Sequence, residues 1–298
     1  MKNLKTNMAV TIIASVLAFA GIALLFLEPE SYDFWEMEYV WFLTFILLAP
    51  MFFVLKPMQG IRLTYLIICL ALFGFLQWSC PRPPGSIEMI IIGLQKSHPV
   101  TMHLIKLGVI LGSAILFSRF FCSMICPKGA IQELVHRESL AVKVPVKLDR
   151  ALKYLKYVFL IALIIAPLLF EFRLFRHIGP FKVIFNLDGS WFLIGFMVVT
   201  IFASIFIGRP FCRYICPIGA LLAIMAKIVP FKIRMSDSCN GCGKCTKVCP
   251  TDAIYLKERK TPVTISVAEC INCRQCENVC PQNTIFFGFS NSQSGKSV

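Results

Sequence analysis

The sequence predicts an all-α membrane bundle of about six transmembrane helices over residues 1–235, a small α+β domain over 236–288 and a flexible tail over 289–298. Three observations predict this fold class. The 298-residue chain is 57% hydrophobic and only 15% charged, which is too apolar for a soluble protein of this length. The apolar residues gather in six runs in the first part of the chain. Eight regularly spaced cysteines follow in a polar region near the end.

The six apolar runs are expected to form the spanning helices. A hydrocarbon core of about 30 Å requires about twenty apolar residues, and the first run has this length. We expect this run to be a retained helix rather than a cleaved signal peptide, because it stays apolar beyond the small-residue motif at Ala18 to Ala20. The runs are 8–27, 40–55, 61–78, 100–117, 152–170 and 191–207.

Lysine and arginine positions predict the orientation. Cytoplasmic loops carry an excess of these residues. Segment 28–39 has neither and is expected outside, whereas segment 119–153 is rich in both and is expected inside. The even helix number then places both termini and the cysteine-rich domain in the cytoplasm, in a multi-pass protein of a bacterial or archaeal cytoplasmic membrane. The net charge is +14, and the lysines and arginines that produce it lie at the predicted membrane edges. Anionic lipid rather than nucleic acid is therefore the expected partner.

The C-terminal cysteines form two runs of the pattern Cys-x2-Cys-x2-Cys-x3-Cys-Pro. Soft thiolates at this spacing hold cubane iron–sulfur clusters, and the fourth cysteine of each run ligates the other cluster. Zinc knuckles share the Cys-x2-Cys spacing but explain neither the third and fourth cysteines nor the prolines. The spacing therefore predicts two [4Fe–4S] sites, one made by Cys239, Cys242, Cys245 and Cys280 and the other by Cys249, Cys270, Cys273 and Cys276.

These runs resemble a bacterial-type two-cluster ferredoxin, and the resemblance covers residues 237–287. Twelve of the fourteen cysteines of the chain fall into spacings typical of metal sites. Thiols used in this way require a reducing compartment, which again favours the cytoplasmic side of the membrane.

A second repeat lies at the predicted membrane edge. The segment that begins Arg119-Phe-Phe-Cys-Ser-Met-Ile-Cys-Pro matches the segment that begins Arg209-Pro-Phe-Cys-Arg-Tyr-Ile-Cys-Pro, ninety residues later. Each copy is expected to lead into a short helix, 130–140 or 220–229, so the repeats cover 119–140 and 209–229. Repeated units in membrane proteins often face each other. The repeat therefore predicts that Cys122, Cys126, Cys212 and Cys216 converge.

Three interpretations of these four cysteines remain open. They form a third metal centre, either an iron–sulfur cluster or a site for another thiophilic metal. Alternatively, they are two redox-active dithiols, since the flanking arginines favour thiolates. In the third interpretation the Cys-Pro-x-Gly-Ala pattern only ends one helix and starts the next.

As a set, the spanning helices, the paired Cys-x3-Cys-Pro motifs and the C-terminal two-cluster segment resemble the NapH/MauN group of membrane ferredoxin-type proteins. More widely, residues 60–287 resemble the membrane domain of nitrous-oxide-reductase accessory proteins. The resemblance implies an electron-transfer subunit that takes electrons from menaquinol or ubiquinol in the quinone pool and serves a partner redox subunit. The six apolar runs depart from the four-helix members of the group.

Two histidines are candidate quinone contacts. His103 enters the fourth run and His177 follows the fifth, both at the predicted outer side of the membrane. They could also act as axial haem ligands. Residues that only anchor helix ends at the membrane interface are the alternative explanation.

Two functions follow, and neither assigns a catalytic residue. In the first, the chain is an electron-transfer subunit of quinol dehydrogenase type. In the alternative, it is a membrane metal reductase or a cofactor-maturation factor that uses the four Cys-x3-Cys thiols. A purely structural role for the ferredoxin segment is the remaining possibility.

Overall fold

The computed structural model describes residues 59–76, 83–97, 100–186, 189–229, 231–236, 238–256 and 261–288. The predicted runs 8–27 and 40–55, the acidic segment between them and the tail lie outside these residues. The described helices are α1 (Gln59–Cys69), α2 (Pro83–Lys96), α3 (Thr101–Phe117), α4 (Phe120–Met124), α5 (Pro127–Val135), α6 (Val146–Phe170), α7 (Leu174–Ile178), α8 (Lys182–Asn186), α9 (Trp191–Phe206), α10 (Pro210–Tyr214), α11 (Pro217–Ile228), α12 (Lys244–Lys247) and α13 (Gln275–Asn278). The strands are β1 (Lys232–Met235), β2 (Ile254–Tyr255), β3 (Thr264–Ile265) and β4 (Ile285–Gly288).

Four described helices match predicted apolar runs. They are α1, which continues as a π-helix over Leu70–Leu76, and helices α3, α6 and α9. Among the described residues, α6 alone is long and apolar enough to cross a membrane, and little of it is buried. Its 25 residues extend about 37 Å, at 1.5 Å per residue. The other apolar helices have 10–17 residues, so the six-helix bundle remains a prediction.

The two membrane-edge repeats fold alike. Helices α4 and α5 in the first repeat correspond to α10 and α11 in the second. Each helix of the second repeat begins ninety residues after its counterpart in the first. Cys126 and Cys216 precede the second helix of each pair with nearly equal backbone angles, φ −65°, ψ 112° and φ −66°, ψ 113°. The sequence similarity therefore reflects a repeated three-dimensional unit.

The two cysteines of each Cys-x3-Cys do not share one helical turn, because the proline that follows the second cysteine forces that cysteine into an extended conformation. The predicted helices 130–140 and 220–229 begin three residues earlier, at Pro127 and Pro217, where proline suits the first helical position. The first of them ends at Val135.

The C-terminal domain contains its own repeat, offset by 31 residues. Strand β1 pairs antiparallel with β4, and β2 pairs antiparallel with β3. Helices α12 and α13 begin at equivalent positions. Left-handed backbone conformations recur at Gly241 and Asn272, and at Gly243 and Arg274. These positions tighten each Cys-x2-Cys-x2-Cys loop, and glycine adopts the conformation without steric cost.

The C-terminal domain packs directly on the repeats. Phe231 belongs to the core formed by α1, α3, α4 and α11, and Phe287 of β4 packs against the same core. Asn272 donates a hydrogen bond to the backbone carbonyl of Phe117 at the end of α3, with a length of 2.9 Å. Gly208 faces the Pro250 carbonyl closely enough that a side chain would collide with it. The cysteine-rich domain therefore lies against the turns that carry the repeated cysteines.

Candidate metal centres

The first predicted set of ferredoxin cysteines is assembled from both runs. Burial raises the pKa of the Cys245 thiol to about 11, and the nearby thiols of Cys239, Cys242 and Cys280 contribute to the increase. Such interactions require proximity, so the last cysteine of the second run lies beside the first three cysteines of the first run. Hydrogen bonds from Thr284 and neighbouring groups outweigh burial and lower the pKa of the Cys280 thiol.

The second predicted set is assembled in the same crossed manner. Burial raises the pKa of the Cys276 thiol well above its ordinary value, and the thiols of Cys273, Cys270 and Cys249 raise it further. The backbone N–H of Ala253 donates a hydrogen bond to Cys249 Sγ over 3.2 Å. The structure thus brings together the four side chains that the spacing groups.

The four repeat cysteines also meet. Burial raises the pKa of the Cys212 thiol, and the thiols of Cys126, Cys216 and Cys122 add to this increase. Burial likewise raises the pKa of the Cys122 thiol to about 12, although the charge of Arg119 opposes the increase. Two segments ninety residues apart therefore place their sulfurs in one location.

The arginine that opens the second repeat reaches into the first repeat. Arg209 is fully buried and donates hydrogen bonds to the carbonyl of Cys122 and to the carboxylate of Glu133. A Cβ atom at Gly129 would lie 2.7 Å from Arg209 Nη1 and 3.1 Å from the Cys122 carbonyl oxygen. The glycine of Cys-Pro-x-Gly-Ala therefore makes room for an arginine of the other copy.

The arginine that opens the first repeat has the reciprocal position. A Cβ atom at Gly219 would lie 3.3 Å from Arg119 Nη2. Arg119 also extends to the C-terminal domain, where it donates to the carbonyl of Ala268 over 2.7 Å and pairs with Glu269 at 3.4 Å. Glu269 is held in turn by Lys156 at 2.6 Å. Arg119 thereby joins both repeats to the C-terminal domain.

Gln132 contributes a hydrogen bond to one sulfur of the four-cysteine site. Its Nε2 donates to Cys212 Sγ over 3.2 Å, and its Oε1 accepts from the backbone N–H of Phe211 over 2.9 Å. The equivalent residue of the second repeat is Leu222, which has no hydrogen-bond donor. The two halves of the site are therefore chemically unequal.

Glu133 compensates the buried arginine charge. Burial would raise the pKa of its carboxyl group, but Arg209 and Arg62 overcome this effect and lower the pKa to about 2. Glu133 also accepts a hydrogen bond of 3.2 Å from Gln275 of the C-terminal domain. The carboxylate therefore links the second repeat, α1 and the C-terminal domain.

The same two arginines act on cysteines of two different sets. The charge of Arg119 acts on Cys212 of the four-cysteine site and on Cys270 of the second ferredoxin set. The charge of Arg209 acts on Cys212 and Cys273. The two buried arginines are thus close enough to interact electrostatically with the four-cysteine site and with the second ferredoxin set.

The donor sets fit iron–sulfur clusters. Cys122, Cys126, Cys212 and Cys216 are each partly exposed. Within the described parts of the chain, no three His, Cys, Asp or Glu side chains are grouped tightly enough to hold a single metal ion. Four soft thiolate donors with nearby hydrogen-bond donors are the ligands that such clusters use.

Two family models match these regions of the chain. A 4Fe-4S dicluster domain matches residues 238–294, and a 4Fe-4S binding domain matches residues 99–149 and 190–236, which contain the two repeats. Ferredoxin-type protein NapH of Escherichia coli (strain K12) is 23% identical over 172 residues, which are 53% of this chain and 58% of NapH. The chain is a NapH-like ferredoxin-type iron–sulfur protein. The resemblance predicted from the motifs is thereby confirmed.

Two further relatives also match this NapH-like chain. YccM of Escherichia coli (strain K12) is 33% identical over 176 residues, which are 53% of the chain and 48% of YccM. The uncharacterised protein MJ0750 of Methanocaldococcus jannaschii is 28% identical over 205 residues, which are 66% of the chain and 84% of MJ0750. The chain thus spans about half the length of YccM. No solved structure matches it.

The candidate quinone contacts of this NapH-like chain lie at the other end of α3 from the cysteines. His103 lies near Arg173, and His177 stacks on Phe172 with ring centroids 4.9 Å apart. Glu88 also lies close to Arg173, is buried, and accepts a hydrogen bond of 2.7 Å from the backbone N–H of Phe175. A carboxylate within an apolar helix is a sequence signal for a functional site, so Glu88 is a further candidate besides the two histidines.

Proposed function

We propose that this chain is a membrane-embedded electron-transfer protein that connects the quinone pool with a partner redox protein through iron–sulfur clusters. The close approach of the four repeat cysteines to the second ferredoxin set carries this proposal. Redox centres must lie close together to exchange electrons, and the two sets share the buried arginines Arg119 and Arg209.

Two [4Fe–4S] clusters are proposed in the C-terminal domain. Cys239, Cys242, Cys245 and Cys280 would hold one, and Cys249, Cys270, Cys273 and Cys276 would hold the other. Both the spacing and the crossed proximity of these thiols support the assignment. When bound, such clusters supply one-electron transfer. The protein tunes it through burial and hydrogen bonds to sulfur.

A third redox centre is proposed at Cys122, Cys126, Cys212 and Cys216. The match of both repeats to a 4Fe-4S binding domain supports an iron–sulfur cluster at this position. The interpretation as a turn motif alone does not explain why Gln132 directs a hydrogen bond to a sulfur.

The membrane location is proposed from α6, from the apolar helices beside it and from the resemblance to NapH. The outward face of α6 carries large apolar side chains such as Val158, Ile161 and Leu169, which lipid would cover. Lysine and arginine before α6 support a multi-pass arrangement with the C-terminal domain in the cytoplasm.

A quinone headgroup is proposed at the end of α3 that carries His103, near His177. The buried Glu88 and the nearby Arg173 support this position, because quinone oxygens require hydrogen-bond partners. Fourteen residues separate His103 from Phe117 at the cysteine end, which corresponds to about 21 Å along the helix, at 1.5 Å per residue. Transfer over this distance would use an intermediate centre or a partner subunit.

Proteoliposomes distinguish this function from a metal reductase or maturation factor. A reduced menaquinol or ubiquinol analogue should reduce the clusters of the full-length protein, as followed by the loss of visible absorbance. Glu88→Gln should slow this reduction, whereas dithionite should reduce variant and wild type equally. The quinol function fails if the quinol leaves the clusters oxidised while Cu(II) rapidly removes electrons from dithionite-reduced protein.

A further inference from the structure

A cavity lies between the membrane part and the C-terminal domain. It has a volume of about 700 Å³ and is bounded by the first turns of α6, by α11, by β2 and by the Val267–Glu269 turn. Cavities of 300–1,000 Å³ at domain boundaries are typical ligand sites. None of the cysteine sets lines this cavity, so it is separate from the proposed metal centres.

The carboxylates that line the cavity are already neutralised. Asp149 pairs with Lys153 at 2.7 Å and with Arg213 at 2.5 Å. Arg213 also pairs with Asp252 at 2.7 Å. The third carboxylate, Glu269, is held by Lys156. An incoming ligand therefore meets no uncompensated negative charge from these acids.

Positive charge remains available in the cavity. Arg150 and Lys227 line it, are exposed, and have no ion-pair partner among the described residues. Lys143 also lines it and donates to the uncharged carbonyl oxygen of Thr246 over 3.1 Å. This surplus of cationic donors selects an anion, and a phosphate suits such a cluster.

Exposed apolar side chains also line the cavity. Val146, Tyr154 and Ile224 are among its lining residues and are 54%, 65% and 45% exposed. Ile228, at the end of α11, is 84% exposed. A small soluble anion would leave these side chains in water, whereas an acyl chain would cover them. The ligand that fits both the cationic and the exposed apolar side chains is an amphiphile with an anionic head.

We propose that this cavity binds the phosphate headgroup of an anionic phospholipid, with Arg150 and Lys227 as its principal contacts. The inference rests on the membrane location proposed above, in which the start of α6 lies at the cytoplasmic surface. Basic pockets at this level recognise anionic headgroups. Because the cavity is lined from both sides, the lipid would hold the C-terminal domain against the membrane part and stabilise this docked state.

Fluorescent phosphatidylglycerol, titrated into the full-length protein in neutral detergent, tests the proposal. Wild type should bind it saturably, about one lipid per chain, with an affinity that falls as salt rises. The double variant Arg150→Gln/Lys227→Gln should bind at least tenfold more weakly. The control Arg137→Gln/Lys147→Gln removes the same charge from exposed positions outside the cavity and should bind like wild type.

Three results would overturn the proposal: equal weakening in both double variants, equally tight binding of fluorescent phosphatidylcholine, or displacement of the lipid by an equal concentration of inorganic phosphate. The last result would identify a soluble phosphate compound as the ligand. Iron content and cluster spectra of the same samples separate the two proposals. Intact clusters without site-specific lipid binding refute only the lipid site, and lipid binding without clusters refutes only the electron-transfer function.

Discussion

Two arginines at equivalent positions of the repeats each pack against the opposite repeat, next to the four-cysteine site. Arg209 lies against Gly129 of the first repeat, and Arg119 lies against Gly219 of the second. Both guanidinium groups are almost completely buried, which is costly unless each charge is paired. Glu133 and Glu269 supply that pairing. The arginine and the glycine that the two motifs share therefore hold one repeat against the other.

Replacing Gln132 should change the electronic properties of the four-cysteine site. Gln132→Leu removes the hydrogen bond to Cys212 Sγ and reproduces the leucine of the second repeat. Hydrogen bonds to sulfur stabilise the reduced, more negative state of a cluster. The potential of one EPR component should therefore fall by tens of millivolts, where about 59 mV is a tenfold change for one electron.

Gln95→Leu is the matched control for this experiment. Gln95 is exposed and donates to the carbonyl of Leu168, at a position outside the cysteine sites. All potentials should remain unchanged in this variant. An unaltered potential in Gln132→Leu would mean that the hydrogen bond has no redox role.

Glu133 should make the fold sensitive to acid. Its pKa is about 2 in the folded protein and about 4.3 in an unfolded chain. Its stabilising contribution is thus fully present above pH 4.3 and is lost as the pH falls toward 2. Glu133→Gln should cost about 3 kcal/mol at pH 7, as breaking a buried pair does. It should also reduce the loss of stability between pH 4.3 and 2.

Thermal unfolding in detergent measures both effects of the Glu133 substitution. Glu138→Gln is the control, because Glu138 lies nearby in the sequence but is exposed. It should unfold like wild type at every pH. A Glu133→Gln variant as stable as wild type at pH 7 would contradict the pairing described above.

At the scale of elements, the two Cys-Pro turns depend on the absence of a side chain. Gly129→Ala would place a methyl group 2.7 Å from Arg209 Nη1. Overpacking of this kind costs about 1–3 kcal/mol. The variant should show a lower melting temperature and a lower iron content of the four-cysteine site.

Gly112→Ala in α3 provides the comparison, because nothing lies within 4 Å of the added methyl group. It should be neutral or slightly stabilising, since alanine is the better helix former. If Gly129→Ala behaved in the same way, the crossed contact with Arg209 would have no structural importance.

The sequence predicted which cysteines act together but not how the repeats engage. Regular spacing predicted the two ferredoxin sets, and the ninety-residue repeat predicted that Cys122 and Cys212 converge; the two thiols are close enough to interact electrostatically. By contrast, the contact between Gln132 and Cys212 joins residues eighty positions apart, and no local pattern encodes it. The extended conformation of Cys126 is one that Pro127 imposes on the residue before it.

In the whole molecule, the C-terminal domain packs against the repeats, so its second ferredoxin set lies beside the four-cysteine site. Buried contacts such as Arg119 to Ala268 and Asn272 to Phe117 hold the domain in place. Composition predicted the apolar helices, but hydropathy alone did not reveal that only α6, among the described helices, has the length of a full span. The shorter helices require packing information that a single sequence lacks.

The proposed topology places the C-terminus in the cytoplasm. A green fluorescent protein fused after residue 298 should therefore fluoresce, because this reporter folds in the cytoplasm and not after export to the periplasm. Alkaline phosphatase at the same position should be inactive. Active phosphatase together with a dark fluorescent fusion would reverse the orientation.

Three cysteine sets are proposed to hold three clusters in one protein. Iron and acid-labile sulfide counting on the full-length protein, combined with low-temperature EPR, tests this proposal. We expect about twelve iron atoms per chain, four for each cubane cluster. Cys122→Ser/Cys212→Ser should retain about eight, and Cys69→Ser should retain all. About eight iron atoms in wild type, unchanged in Cys122→Ser/Cys212→Ser, would contradict a cluster at the membrane-edge repeats.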